Sequence, residues 1–258
     1  MQKVVVLFSG SHFSEGAFEF IKKMRAVGHL QLTAVFLPEW VTAYAGMGEN
    51  DETVMNDNIA RFQWLCKQYR IDVKVCTDPS AHVSSRISGE SRFADLLIAG
   101  MEGFIKNEGE AGRFLSIKDL LNASECPVLL VPEKIYIPEH IILSYDGSAS
   151  SVFAIRQFAA LFPDLCKKET ILVYEGKRVD LPFKPYVEEL TSRYFPSMSF
   201  LQLDPEDEEC FHSWVEEISQ PMVVAGSFGS AGTFSLFRRG FITDLIHQNQ
   251  LLVFLARK

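Results

Sequence analysis

The stretch Pro221–Ile246, PMVVAGSFGSAGTFSLFRRGFITDLI, carries the residues of this chain whose types and spacing suit an anion. A short apolar run, Pro221–Ala225, stops at Gly226-Ser227-Phe228-Gly229-Ser230-Ala231-Gly232; two arginines, Gly240 and an amphipathic run from Phe241 to His247 follow. The pattern predicts a buried strand, a glycine-rich loop and a helix. Glycines let the backbone come up to a ligand with no Cβ in the way. N–H groups before a helix N-terminus, aided by the helix dipole, attract phosphate. Arg238 and Arg239 could add charge-assisted bonds. Neither common nucleotide signature is present: no lysine lies in the stretch, and the dinucleotide fingerprint has another glycine spacing and follows the first strand of its unit. A glycine-rich surface turn with a solvated basic pair explains the same residues, and both readings stand at this point.

Other chemistry is sparse. Asp146 ends an apolar run and precedes Gly147-Ser148. It could contact a ligand or simply cap the following turn, as Asp commonly does. Phe228, Phe234 and Phe237 could stack on a base or cover a sheet edge. The six histidines are scattered, with no H-E-x-x-H and no nearby cysteine pair, which argues against a metal site. No G-x-S-x-G elbow occurs, and Ser9-Gly10-Ser11-His12 has no sign of a triad beyond adjacency. For a magnesium-dependent reaction only Asp146, Glu175 and Asp244 are placed to face one crevice. No residue is assigned a catalytic role.

The elements that must position these residues come from hydropathy. With 258 residues, 47% hydrophobic and 22% charged, the chain can bury a full core and suits two domains. Its net charge of −8 argues against a general nucleic-acid surface. No apolar run approaches membrane-span length. The first strand, Lys3–Phe8, is apolar throughout, as in a parallel sheet covered on both faces. Helices and strands then alternate through Pro127–Val131, Pro132–Pro138 reads as a linker, and the pattern starts again at Ile141–Tyr145. Setting residue n against n+137 aligns Gly10 with Gly147, Ser11 with Ser148, Ser14 with Ser151 and Ala17 with Ala154. With a smaller offset Gly100 and Gly103 fall on Gly226 and Gly229. The expectation is a tandem duplication of one α/β unit: two doubly wound five-stranded parallel-sheet domains, 1–136 and 137–258, with right-handed crossovers.

A unit that opens with strand-Asp146-Gly147-Ser148-helix and carries strand-Gly226-x-x-Gly229 near its end resembles the universal stress protein family, a group with adenine-nucleotide α-hydrolase-like folds. The likeness spans nearly the whole chain as two such domains in tandem. It implies ATP or another adenine nucleotide as ligand, although members without the motif bind none. At matching positions it implies that Asp146 and Gly147 lie against adenosine, that Gly226 and Gly229 bring loop N–H groups to the phosphates, that Gly240 lines the start of the last helix, and that Val173 offers backbone contact to adenine. The family pattern is Gly-x2-Gly-x9-Gly-Ser/Thr; here Gly240 lies one residue too far and Phe241 replaces the hydroxyl residue. The first repeat departs further. Ser9 stands where Asp146 stands, no matching Gly-Ser/Thr pair follows Gly103, and Glu102, Glu108 and Glu110 would repel phosphate. Nucleotide is therefore expected in the second repeat alone, with no metal beyond magnesium carried by the nucleotide.

The resemblance implies a cytoplasmic stress-response protein that acts through protein partners, not nucleic acid or membrane. Its alternatives are an ATP-hydrolysing or nucleotidyl-transferring enzyme on the same scaffold, and a ligand-free scaffold. It also implies that the two repeats pair through their last strands, Val128–Val131 and Leu252–Leu255, which would hide two apolar sheet edges; further oligomerisation is compatible with this. Five cysteines without C-x-x-C, and an N-terminus that enters a strand without a cleavage pattern, suggest reduced thiols and no secretion.

Overall fold

Apolar runs such as Val4–Phe8 become central parallel strands, because a strand covered by helices on both faces has no polar face to show. The computed structural model describes residues 2–9, 12–37, 49–77, 83–102, 117–175, 181–203, 214–215, 217–226 and 251–258. The chain divides into two units, Met1–Ile135 and Tyr136–Lys258, and the division falls inside the segment read as a linker.

In the first unit the order is β1 (Gln2–Ser9), α1 (Glu15–Val27), β2 (Leu30–Leu37), α2 (Glu49–Gln68), β3 (Val73–Cys76), α3 (Val83–Ser91), β4 (Leu96–Gly100), α4 (Ile117–Ala123) and β5 (Val128–Val131). Its strands lie side by side as β3-β2-β1-β4-β5, all parallel. The second unit runs β6 (His140–Ser144), α5 (Ala149–Leu161), a 3-10 turn at Leu165–Lys167, β7 (Glu169–Glu175), α6 (Lys184–Ser192), β8 (Met198–Leu203), β9 (Pro221–Gly226) and β10 (Leu252–Ala256). Its order is β8-β7-β6-β9-β10, again parallel. Both units are five-stranded α/β, as expected. Each reverses direction of winding beside its first strand, between β1 and β4 and between β6 and β9.

Register shows the internal repeat. Val4 pairs with Leu96 in the first unit, and Ile141 pairs with Met222 in the second. These positions correspond under the two offsets that align the glycines. The helices after the first strands do not correspond so closely. Ser14 caps α1 through an N–H bond from Ala17, whereas α5 is capped by Ser148, whose Oγ accepts from Ser151. Since Ser14 aligns with Ser151, α5 starts a full turn earlier than α1.

Ala17, Phe20, Ile21, Met24 and Val27 follow helical spacing and predict one apolar face for α1, yet Val27 is 76% exposed. Gly28 does close α1, donating its N–H to the Met24 carbonyl, but in an extended conformation with φ −164° that needs no glycine. The expected helix Glu206–Ile218 and last helix Phe241–His247 lie largely or wholly outside the described residues.

The first core is built on phenylalanines. Phe8 meets Phe13, Phe36 and Phe62, each with ring centroids 5.1 Å apart, and its ring lies nearly parallel to that of Phe13 at 10°. Offset and tilted pairs of this kind add roughly 0.5–1.5 kcal/mol each beyond area burial. In the second unit Phe158, Phe162 and Phe254 form a smaller group.

Candidate functional site

Open α/β sheets bind ligands in the crevice beyond the carboxyl ends of their strands, where winding reverses. In the second unit that place is marked by the ends of β6 and β9. Tyr145, just past β6, is buried; its N–H donates to the Val173 carbonyl at 2.9 Å and its hydroxyl to the Pro182 carbonyl at 2.8 Å. Burial, and then the negative charge of Asp146, push the Tyr145 phenol above its usual range. Asp146 is partly buried at the mouth of the crevice. Its Oδ1 accepts from the Ser148 N–H at 2.9 Å, so the carboxylate closes the turn into α5. A carboxylate accepts through both oxygens, and this turn uses one of them. Gly147 has φ +76°, a left-handed conformation that disfavours any residue with a Cβ. A Cβ there would also lie 2.9 Å from Pro182 Cβ.

Gly226 ends β9 against the first turn of α5. An added Cβ would sit 2.6 Å from the Ser151 nitrogen and 2.7 Å from the Ser150 carbonyl carbon. That glycine therefore serves the packing of strand on helix, whatever else its N–H does. Val173 is fully buried, and its carbonyl already accepts from Tyr145. The structure thus brings Asp146, Gly147, Val173 and Gly226 to one end of the sheet. Gly229, Gly240, Phe241, Arg238, Arg239, Asp244 and the three loop phenylalanines lie outside the described residues.

The corresponding crevice of the first unit is lined differently. Ahead of α1, two neighbouring side chains are used differently. Phe13 stacks on Phe8 in the core, and His12 lies over the strand ends. Ser9, which aligns with Asp146, is buried. Glu102, just past β4, is 8% exposed. Gly100 corresponds to Gly226 in place and in use: an added Cβ would lie 2.6 Å from Ser14 Cβ and 3.1 Å from Glu102 Oε2. Glu133, just past β5, sends its carboxylate to the start of α1, where Oε1 accepts from the Glu15 N–H at 3.4 Å and Oε2 from the Ser14 hydroxyl at 3.5 Å. A carboxylate is favoured there by the helix dipole. His12 Nε2 lies 3.8 Å from Glu133 Oε2.

Sequence reading singled out Glu102 only as a charge that repels phosphate, and left Glu133 in a linker and His12 in an inert loop. Nothing local could have joined them, since His12 and Glu133 meet only after four crossovers have stacked β1, β4 and β5. Elsewhere, Cys66, Cys126 and Cys166 have thiols pushed up to about 12 by burial, which makes them poor nucleophiles. With Cys76 they are free thiols. Among the described residues no helix is long and apolar enough to cross a membrane.

Strand order, parallel pairing and crevice position define each unit as a doubly wound α/β domain with a crevice at its switch point. No family model and no curated protein matches the sequence. Among solved structures the chain is similar to a universal stress protein from Archaeoglobus fulgidus DSM 4304, with a TM-score of 0.66 and 15% identity over 98% of this chain and 96% of that one. The chain thus has the fold of that universal stress protein.

Proposed function

We propose that this is a universal stress-type protein of the cytoplasm, built as two such domains in tandem, which binds an adenine nucleotide in its second unit only and acts through protein partners. The observation that carries the proposal is the contrast between the two strand-end crevices. In the second, a partly buried Asp146 and the left-handed Gly147 stand beside the Gly226 end of β9, from which the glycine-rich loop departs. In the first, Ser9 stands in place of Asp146, and the buried carboxylate of Glu102 lies just past the Gly100 end of β4. Asp146 would accept from ribose or adenine groups, and Gly229 would let loop N–H groups reach phosphate. The shifted Gly240 and Phe241 remove contacts that the family pattern supplies, so binding is weak and rests on the adenosine end.

Mass spectrometry of small molecules released from freshly purified protein tests this first. The expected result is a substoichiometric adenine nucleotide with no turnover of ATP in the presence of Mg²⁺. Steady turnover would replace the binding protein with an enzyme. A protein that neither retains nor takes up any adenine nucleotide would overturn the proposal.

A further inference from the structure

We propose that the crevice of the first unit is a binding site for a first-row divalent metal ion, Zn²⁺ by preference, held by His12, Glu102 and Glu133. One nitrogen and two carboxylate oxygens from these residues lie within 4.8 Å of one another. Donors about 2.1 Å from one tetrahedral ion stand about 3.4 Å apart, so the set closes on an ion by drawing in by about 1.4 Å at most. Each donor comes from just beyond a different neighbouring strand: His12 after β1, Glu102 after β4, Glu133 after β5. A site assembled from three strand ends is held by the sheet itself, not by one mobile loop.

Two independent observations point into the same space. His12 Nε2 is shut off from solvent and makes no hydrogen bond. A cavity of about 10 Å³, enough for one water or ion, is lined by His12, Ser14, Gly100 and Glu102 among others. Two carboxylates match the charge of a divalent ion, and the imidazole binds one in its neutral form. The imidazole favours zinc and its first-row neighbours over Mg²⁺ and Ca²⁺, which take oxygen ligands. Three protein donors also leave a fourth position open. Glu133 is already oriented by the Ser14 hydroxyl and the Glu15 N–H, as outer partners orient metal ligands.

The test uses the full chain, stripped with chelator and titrated with Zn²⁺ against a chromophoric competitor, then with Mg²⁺ and Ca²⁺. One Zn²⁺ per chain should bind, with Mg²⁺ and Ca²⁺ weaker by roughly ten-fold or more. His12→Gln and Glu102→Gln should each weaken Zn²⁺ by roughly ten-fold or more, and Glu133→Gln, at a half-exposed position, serves if either of these fails to fold. Zn²⁺ should raise the melting temperature of the wild type and not of the variants. The absorption spectrum with Co²⁺ in place of zinc should show nitrogen and oxygen ligands and no thiolate band. Failure of the wild type to bind Zn²⁺, a thiolate spectrum, or affinity unchanged in folded variants would overturn the site.

Discussion

In the first unit the helix after the first strand is capped by Ser14; in the second it is capped by Ser148, three residues ahead of the Ser151 that aligns with Ser14. The strands on either side keep the same register in both units. What reaches each crevice differs with it. In the first unit His12 meets Glu102 and Glu133. In the second the earlier helix start draws Asp146 back onto the Ser148 N–H, so that a carboxylate and a left-handed glycine sit at the edge of the site. The sheet centres match because β4 and β5 in one unit and β9 and β10 in the other are buried almost throughout. The connection after the first strand differs between the two copies: one places a histidine beside two carboxylates, the other a single carboxylate beside a left-handed glycine.

Substitutions at the paired glycines should give the largest effects and sharpen this contrast. Gly226→Ala drives a Cβ into the backbone of α5, which cannot yield, and should cost about 3 kcal/mol. Gly100→Ala meets the Ser14 Oγ and, at 2.6 Å, its Cβ; only the Oγ can turn aside, so this variant should cost about 2 kcal/mol. Chemical denaturation of both variants measures this; a cost near zero for either would contradict the close packing of strand on helix.

Alkaline pH should weaken both units and so serves as a control on the contrast. Burial raises Cys66 and Cys126 in the first unit and Cys166 in the second from 9.0 to about 12, and Tyr136 in the second from 10.0 to about 12. A raised folded value means that the unfolded chain loses its protons first. The stability is therefore fully present below pH 9 and falls as pH rises toward 12, by roughly 1 kcal/mol per thiol in the first unit above 9. Melting curves from pH 8 to 10.5 follow this; a flat profile would contradict the burial of these groups.

Helix caps give the smallest expected change. Ser148→Ala and Ser14→Ala should each lose about 1 kcal/mol of stability. Ser14 also donates to Glu133, so its variant alone should weaken Zn²⁺ as well. A change in Zn²⁺ affinity with Ser148→Ala would blur the separation of the two crevices.

Much of the fold was legible because a buried parallel strand is a continuous apolar run and glycines mark where strands end against helices. Lys3–Phe8 and Pro221–Ala225 read directly in this way, and they match β1 and β9 to within a residue at each end. The Asp146 turn was legible too, since Asx capping is a local interaction over two residues. The exposed end of α1 was not, because Val27 fits the periodicity but lies beyond the reach of the sheet. Nor was the grouping of His12, Glu102 and Glu133: their approach depends on strand order, and on the absence of a side chain at Gly16, where a Cβ would collide with the Pro132 carbonyl.

Titration calorimetry of ATP into the wild type, Asp146→Asn and Glu102→Gln tests the division of labour most directly. Asp146→Asn keeps the oxygen that caps Ser148 while removing the charge, and so isolates ligand contact from folding. One site per chain should be found, weakened at least several-fold by Asp146→Asn and unaltered by Glu102→Gln. Two sites per chain, or one site that responds to Glu102→Gln and not to Asp146→Asn, would contradict the assignment of nucleotide to the second unit.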